Sequence, residues 1–415
     1  MRKLLIKNIE SLVQVREKDP GTLKGSAMGE LPSISNAWLA ADDGIISAYG
    51  SMDEFPGITD WSGLDVIDAE EGTLLPTFCD SHTHLVYAGN REGEFVDRIR
   101  GLSYEEIAKR GGGILNSANK LRAASEDELF EQTLERFNEV ISLGTGAIEI
   151  KSGYGLDLES ELKMLRVIRR LKELGRIPVK ATFLGAHAVP AEFKNNKDGY
   201  IKLLIDEMMP AIAKEKLAEY CDIFCERNYF TPEDTIRILE AGKKNGMTPK
   251  VHANQLSHSG GVQAGVKCGA ISVDHLEFLD DEDISALKNS STIPTLLPGA
   301  QFFLGLQHPP ARKMIDAGLP VAVASDFNPG SCPSGNMMQM VSLCCINYRM
   351  TPEEAFNAAT INSAAAMDVS RTHGSITVGK TASFILTKKI SSLGFLPYSF
   401  GSHLIDKVIV AGKVN

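Results

Sequence analysis

Paired cysteine spacing is missing from this 415-residue sequence: the seven cysteines (Cys79, Cys221, Cys225, Cys268, Cys332, Cys344, Cys345) are odd in number and form no C-x-x-C motif. That disfavours a disulfide framework or a thiolate zinc site, and the cysteines are expected to be reduced, mostly buried small hydrophobes. Long apolar runs are also lacking. The opening "MRKLLI" is broken by Lys7, Asn8 and Glu10, too early for a signal-peptide core or a spanning helix, so a cytoplasmic location without membrane contact is expected. No block of Lys or Arg is long enough to track a phosphate backbone. With 53 acidic against 43 basic residues and a formal charge of −10, nucleic acid is not an expected partner. No glycine fingerprint follows the first apolar run, which discards a nucleotide-binding dehydrogenase. Low-complexity tracts, long linkers and direct repeats are absent as well.

What is present is a recurring pattern. Eight short apolar runs end in polar or glycine residues: "TLLPTFCDSHTH", "TGAIEIKSGYG", "VKATFLGAH", "CDIFCERN", "PKVHANQ", "ISVDHLE", "TIPTLLPG" and "PVAVASDFNPG". Between them lie segments of helical period, such as "DELFEQTLERFNEVISLG" and "LESELKMLRVIRRLKELG", each closing on a glycine that suits a helix C-terminus. Buried strands alternating with helices imply parallel pairing, and a (β/α)₈ TIM-type barrel over residues 71–369 is the economical closed arrangement. Residues 1–70 and 370–415 instead carry short alternating strands, as in "DGIISAYG", "GSITVGKTASFIL" and "DKVIVAGKV". Both chain ends are therefore expected to meet in one small β-sandwich.

Barrels of this type build their sites at the C-terminal ends of the strands, so the residues that finish each run are the informative ones. Run 1 ends in His82 and His84, run 3 in His187, run 5 in His252, run 6 in His275 and run 8 in Asp326. Five of only nine histidines thus fall at one face. Residues i and i+2 of a strand share a face, so His82 and His84 can direct two imidazoles at one ion while Thr83 points away. A lone histidine is more often a satisfied polar residue than a ligand, but this collective placement favours a site. With His252 and Asp326 the set becomes three nitrogens and a carboxylate oxygen, which suits zinc or iron. Such an ion acidifies a water; Asp326 could take its proton, and His275 could orient the nucleophile or stabilise the developing oxyanion. Hydrolysis is the expected chemistry.

The stretches "FCDSHTH", "HANQ", "DHLE" and "ASDFNPG" resemble the motifs of the amidohydrolase superfamily over nearly the whole chain. "HTHLVYAGNREGEF", "KSGYGL", "FLGAHAVP", "SDFNPG" and "RGGGI" resemble more narrowly its imidazolone-ring hydrolases of histidine degradation. That resemblance implies one zinc or iron ion per chain on His82, His84, His252 and Asp326. It implies hydrolysis of the ring amide of 4-imidazolone-5-propanoate to N-formimidoyl-L-glutamate, and a homodimer. It also implies substrate contacts at Arg91, Tyr154, His187, Gln255, Asn328, Gly330 and Ser331. Gln255 stands where members carry Glu or Gln and counts among the catalytic candidates with Asp326 and His275; Ser331 replaces a more usual threonine but keeps a hydroxyl. A guanidinium at Arg91 can match a propanoate carboxylate bidentately, whereas a loop arginine is otherwise usually solvated. Tyr154 would otherwise read as an exposed turn residue, yet its flanking glycines would let the loop approach a ligand. Gly111 to Gly113 in "RGGGI" lack the spacing of a phosphate loop and are read as a mobile active-site loop. In "GKTAS", Ser383 replaces the aspartate usual in the superfamily's C-terminal strand.

Rival readings differ at single positions. A guanine- or cytosine-type deaminase places a glutamate three residues after the run-5 histidine, and the amide of Gln255 cannot shuttle its proton. A binuclear hydrolase needs a bridging carboxylated lysine at the end of run 4, where Glu226 and Arg227 stand; Lys151, after run 2, is given a structural role. A purely structural metal site would be closed by four ligands, without His275 beside it.

Overall fold

The computed structural model describes residues 2–102, 106 and 112–415. Each of the eight apolar runs contributes a strand to one parallel sheet: β6 (Phe78–Thr83), β7 (Thr145–Lys151), β8 (Val179–Ala186), β9 (Tyr220–Cys225), β10 (Thr248–Ala253), β11 (Ser272–His275), β12 (Ile293–Leu296) and β13 (Ala322–Val323). They pair in chain order, and the ring closes where Thr83 bridges Phe327 in parallel. The closing seam is tied by Asp326 N donating to His82 O (3.0 Å) and His84 N donating to Phe327 O (2.9 Å). Asp80 adds a side-chain tie, accepting from Ser325 N at 3.0 Å and Ser325 Oγ at 2.5 Å. Strands covered on both faces need no polar side, which is why these runs are predominantly apolar.

The intervening helices bury one stripe each. Helix Glu126–Ser142 starts at a capping box, with Ser125 and Glu128 satisfying each other's backbone N–H, and buries Leu129, Thr133, Phe137, Val140 and Ile141. Helix Leu158–Glu173 starts at Asp157, whose carboxylate accepts from Ser160 N. The glycines after them, Gly144 and Gly175, have φ of +100° and +62°. Among the described residues no helix is long and apolar enough to cross a membrane.

Both chain ends form a second sheet. It contains β1 (Lys3–Val13), β2 (Ser33–Asp42), β3 (Ile45–Ser51), β4 (Leu64–Asp68), β5 (Thr73–Pro76), β14 (Phe384–Thr387), β15 (Ile405–Val410) and β16 (Lys413–Val414). The strands are joined as one sheet that forks at β1: Lys3 to Lys7 pair with β4, while Ser11 and Leu12 pair with β5, which leads on to β14, β15 and β16. Ile6, Ile9, Leu12, Leu39, Leu74, Phe384 and Ile409 fill its core. The run "TLLPTFCDSHTH" is accordingly divided at Thr77: its first half belongs to this sheet and its second half opens the barrel. Ser383 serves the sheet, its Oγ accepting from Ala411 N at 3.1 Å.

Candidate metal centre and substrate cavity

Four imidazoles and a carboxylate converge where the strands end. Asp326 Oδ1 lies 3.5 Å from His82 Nε2 and 3.4 Å from His84 Nε2, and His252 Nε2 lies 3.5 Å from His84 Nε2. Thr83 does point away, its Oγ1 donating to Glu149 O on the next strand. A hydrogen bond fixes one ring, His82 Nδ1 lying 2.6 Å from Asp274 Oδ2, and an ion-pair contact faces another, His252 Nδ1 lying 3.1 Å from Asp222 Oδ2. A carboxylate on Nδ1 keeps the proton there and turns the Nε2 lone pair inward.

The inward lone pairs of His82 and His252 therefore face a common point, and His82 Nε2 is buried without a hydrogen-bond partner among the described residues. A buried acceptor left unmatched is costly, and a cation at that point removes the cost. The residues present fit a metal ion: His82, His84 and Asp326 each offer a ligand atom, all within 4.8 Å of one another, and so do His82, His252 and His275. Burial, reinforced by the Lys151 charge, holds His82 well below the usual histidine range. Burial likewise takes His252 down to about 4 against the opposing pull of Asp222. Both are thus neutral, as ligands must be. Burial would raise Asp326, but the hydrogen bond with His84 and the surrounding imidazoles outweigh it and keep the carboxyl below its ordinary value.

His275 differs. Burial lowers its pKa, yet Glu277, with Oε1 3.6 Å from His275 Nδ1, leads the acidic groups that outweigh burial, so the net shift is upward. His275, Leu276 and Asp326 have φ of +86°, +71° and +54°, the left-handed region that such residues rarely occupy. Strain of this kind persists where surrounding structure imposes it, commonly at functional sites.

The site opens into a cavity of about 380 Å³. His84, His252, His275 and Asp326 line it, as do Arg91, Tyr154, His187, Gln255, Asn328, Gly330 and Ser331; His82 lies beneath the wall. Arg91 is not a solvated loop residue: its side chain is 9% exposed, and its Nε and Nη2 both donate to Glu94 Oε2, at 2.8 and 2.6 Å. The Nε edge is thus occupied by Glu94, which also accepts from Gly113 N and Asn116 Nδ2. A Cβ on Gly330 would lie 2.1 Å from Arg91 Nη1, so a side chain there would displace the guanidinium.

Tyr154 is 2% exposed, not an exposed turn residue, with its ring 5.4 Å from that of His187 and 5.9 Å from that of His84. Buried Glu161 pins this loop by accepting from Gly153 N, Gly155 N and Leu156 N. His187 Nδ1 sits 3.0 Å from Gly153 O, which fixes the proton there and leaves Nε2 as an acceptor. Asn328 braces the last loop: its Oδ1 accepts from Gly330 N and Ser331 N, and its Nδ2 donates to Ser331 Oγ. Of the triple glycine, Gly111 lies outside the described residues, while Gly113 has φ of +79° before helix Ile114–Ala123.

Sequence reasoning did not single out Asp222, Asp274, Glu94 or Arg98. Arg98 lines the cavity and lies over the Phe303 ring at 4.7 Å. For Asp222 and Asp274 a signal existed, since each is an acid inside an apolar run. Glu226 does not face the imidazoles; its carboxylate accepts from Leu256 N and from the N–H and hydroxyl of Ser257.

A sequence profile described as "Amidohydrolase family" matches residues 73–414. A Christiangramia forsetii protein named imidazolonepropionase is 57% identical, with 99% of each chain covered. A namesake from Geobacillus thermodenitrificans is 42% identical over 100% of this chain and 98% of its own. Among solved structures, a triazine hydrolase variant matches with TM-score 0.75 at 15% identity, covering 100% of this chain and 94% of that one. Guanine deaminase from C. acetobutylicum matches with TM-score 0.69 at 14% identity and full coverage of both, a likeness of fold alone. The chain belongs to the amidohydrolase family, and within it to the imidazolonepropionases.

Proposed function

We propose that the chain hydrolyses the ring amide of 4-imidazolone-5-propanoate to N-formimidoyl-L-glutamate, a step of L-histidine degradation, with one zinc or iron ion held by His82, His84, His252 and Asp326. One observation carries the reading: a single cavity joins the imidazole and carboxylate cluster to Arg91, on the loop that leaves the same strand as His82 and His84. A divalent ion held there would supply Lewis acidity, for polarising the ring carbonyl and lowering the pKa of the attacking water.

The protein's residues divide the remaining work. Arg91, braced by Glu94, binds the propanoate carboxylate from the side of Nη1. Tyr154 and His187 flank the imidazolone ring, and His187 Nε2 accepts a ring N–H. Water oxygen joins the ring carbonyl carbon, Asp326 takes the water proton, and His275 donates to the developing oxyanion, a role its raised pKa favours. The carbon–nitrogen bond then breaks and the departing nitrogen receives the proton from Asp326. Gln255 donates an amide N–H to the ring and holds it in register; it carries no proton itself. Asn328, Gly330 and Ser331 shape the wall that keeps Asp326 and Arg91 in place.

The donor set of three nitrogens and one oxygen suits zinc and iron alike. Seven free cysteines, six of them buried, support a reducing, cytoplasmic setting, and we propose a homodimer as the working assembly. The test is incubation of metal-analysed protein with enzymatically generated 4-imidazolone-5-propanoate, following the imidazolone absorbance. Stoichiometric loss supports the reading; a stable absorbance with the metal-loaded protein, or ammonia release from guanine or cytosine instead, overturns it.

A further inference from the structure

Beneath the imidazoles lies a charged cluster sealed from water. Lys151, the last residue of β7, has Nζ 2.8 Å from Asp222 Oδ2, 2.9 Å from Glu149 Oε1 and 4.0 Å from Asp274 Oδ2, and all four side chains are fully buried. Asp222 and Asp274 are the carboxylates that face His252 Nδ1 and His82 Nδ1. One ammonium therefore stands between the two groups that orient two of the imidazoles. Lys250 stands at the same 4.0 Å from Asp274 Oδ2, but among the described residues it makes no ion pair with Asp222 or Glu149 and donates instead to Ser81 O at 3.0 Å.

Carboxylates in such a place are costly unless paired, and removing one partner of a buried pair leaves the other to move, hydrate or take up a proton. A displaced Asp222 or Asp274 would no longer orient the imidazole it faces, and the inward lone pair would be lost to ring rotation. The contacts of Lys151 with two carboxylates are those of an ammonium, not of a carboxylated bridging lysine. Burial lowers its pKa, but Asp222, then Glu149 and Asp274, outweigh burial and raise it.

We infer that Lys151 is a positioning residue for ion capture: by joining Asp222 and Asp274 it sets His252 and His82 together, so that both Nε2 atoms address one point. This rests on the reading of His82 and His252 as ligands. A lysine that only stabilised the barrel would leave ion affinity unchanged once the protein is folded.

The experiment is zinc titration of metal-stripped Lys151→Met against a chromogenic chelator, beside wild type and His82→Ala. Zinc affinity should fall by about 10- to 100-fold, the range for lost outer partners of ligands, while KM of the fully loaded variant stays within about twofold of wild type. Because Lys151→Met leaves three carboxylates short of a cation, Lys151→Met/Glu149→Gln, which removes one charge of each sign, is titrated in parallel and should lose affinity similarly. Wild-type zinc affinity in either folded variant, with only a lowered melting temperature, overturns the inference. So does insolubility of both variants with and without zinc, which would make Lys151 a requirement of the fold. Wild-type affinity in His82→Ala, in contrast, sinks the ligand reading itself.

Discussion

Ser331 Oγ donates a 3.0 Å hydrogen bond to Asp326 Oδ2, while Asp326 Oδ1 faces the Nε2 atoms of His82 and His84. The two oxygens of one carboxylate are thus given different neighbours, and the hydroxyl decides which oxygen turns inward. Ser331→Ala should keep its metal and lower kcat by about tenfold, the lower range for losing an outer hydrogen bond to a ligand. Ser331→Thr retains the donor and should stay within a few-fold of wild type. Equal kcat in Ser331→Ala and wild type would show that Asp326 is oriented without this residue.

Gly330 and Arg91 make the second test. A Cβ on Gly330 would meet Arg91 Nη1 at 2.1 Å and Cζ at 2.6 Å, and Glu94 limits how far the guanidinium can retreat. Arg91→Met should weaken substrate binding by roughly 2–4 kcal/mol, the range for truncating one partner of a desolvated charge pair. Gly330→Ala should raise KM in the same direction by less, with kcat nearly preserved, since it displaces a binding group and leaves the reacting end intact. Unchanged steady-state constants in both variants would remove Arg91 from the binding site.

The positions of His82, His84, His187, His252, His275 and Asp326 at strand ends were legible because a doubly covered parallel strand has no polar face, so the polar residue closing each run stands out. What lay beyond reading were the pairings across the ring. His82 and Asp274 are 192 residues apart, and nothing in local spacing says which acid meets which imidazole. The burial of Tyr154 was hidden for a similar reason: it depends on Glu161 collecting three backbone N–H groups, while the flanking glycines alone also fit an exposed turn. The division of the first run at Thr77 was obscured because the two buried strands are separated by a single residue with no turn signal. The forked β1 likewise needs strands from both ends of the chain before its pairing can be recognised.

A pH effect on stability follows from His373. It is buried, its Nε2 has no hydrogen-bond partner among the described residues, and burial together with the Lys380 charge lowers its pKa from 6.5 to about 4. The unfolded chain therefore takes up a proton first: stability is full above pH 6.5 and is lost as pH falls towards 4. At pH 5 this one group should cost about 2 kcal/mol, from the 1.36 kcal/mol per pKa unit of differential protonation. His373→Gln should lose less stability between pH 7.5 and pH 5 than wild type, as read from urea midpoints. Identical losses in the two proteins would refute the assignment.

His275 stands apart from His82 and His252 in the direction of its pKa shift. Its imidazole lies close enough to His82 and His252 for proximity alone to admit it to the metal, and like theirs its Nδ1 faces a carboxylate, Glu277; the net shift of its pKa is nevertheless upward where theirs is downward. Ligands are held neutral, whereas a histidine whose pKa is raised suits donation to an oxyanion. His275→Ala should therefore keep one ion per chain and lower the chemical step by about two to three orders of magnitude, the usual range for removing one oxyanion donor. His252→Ala should lose both ion and activity, because its Nε2 would be taken from a point that three other groups define. A histidine that only orients Asp326 would give a smaller fall, about ten- to a hundredfold. Metal content and single-turnover rate on the same preparations decide among these. Loss of the ion from His275→Ala makes it a ligand, and an unaltered rate removes it from the chemistry.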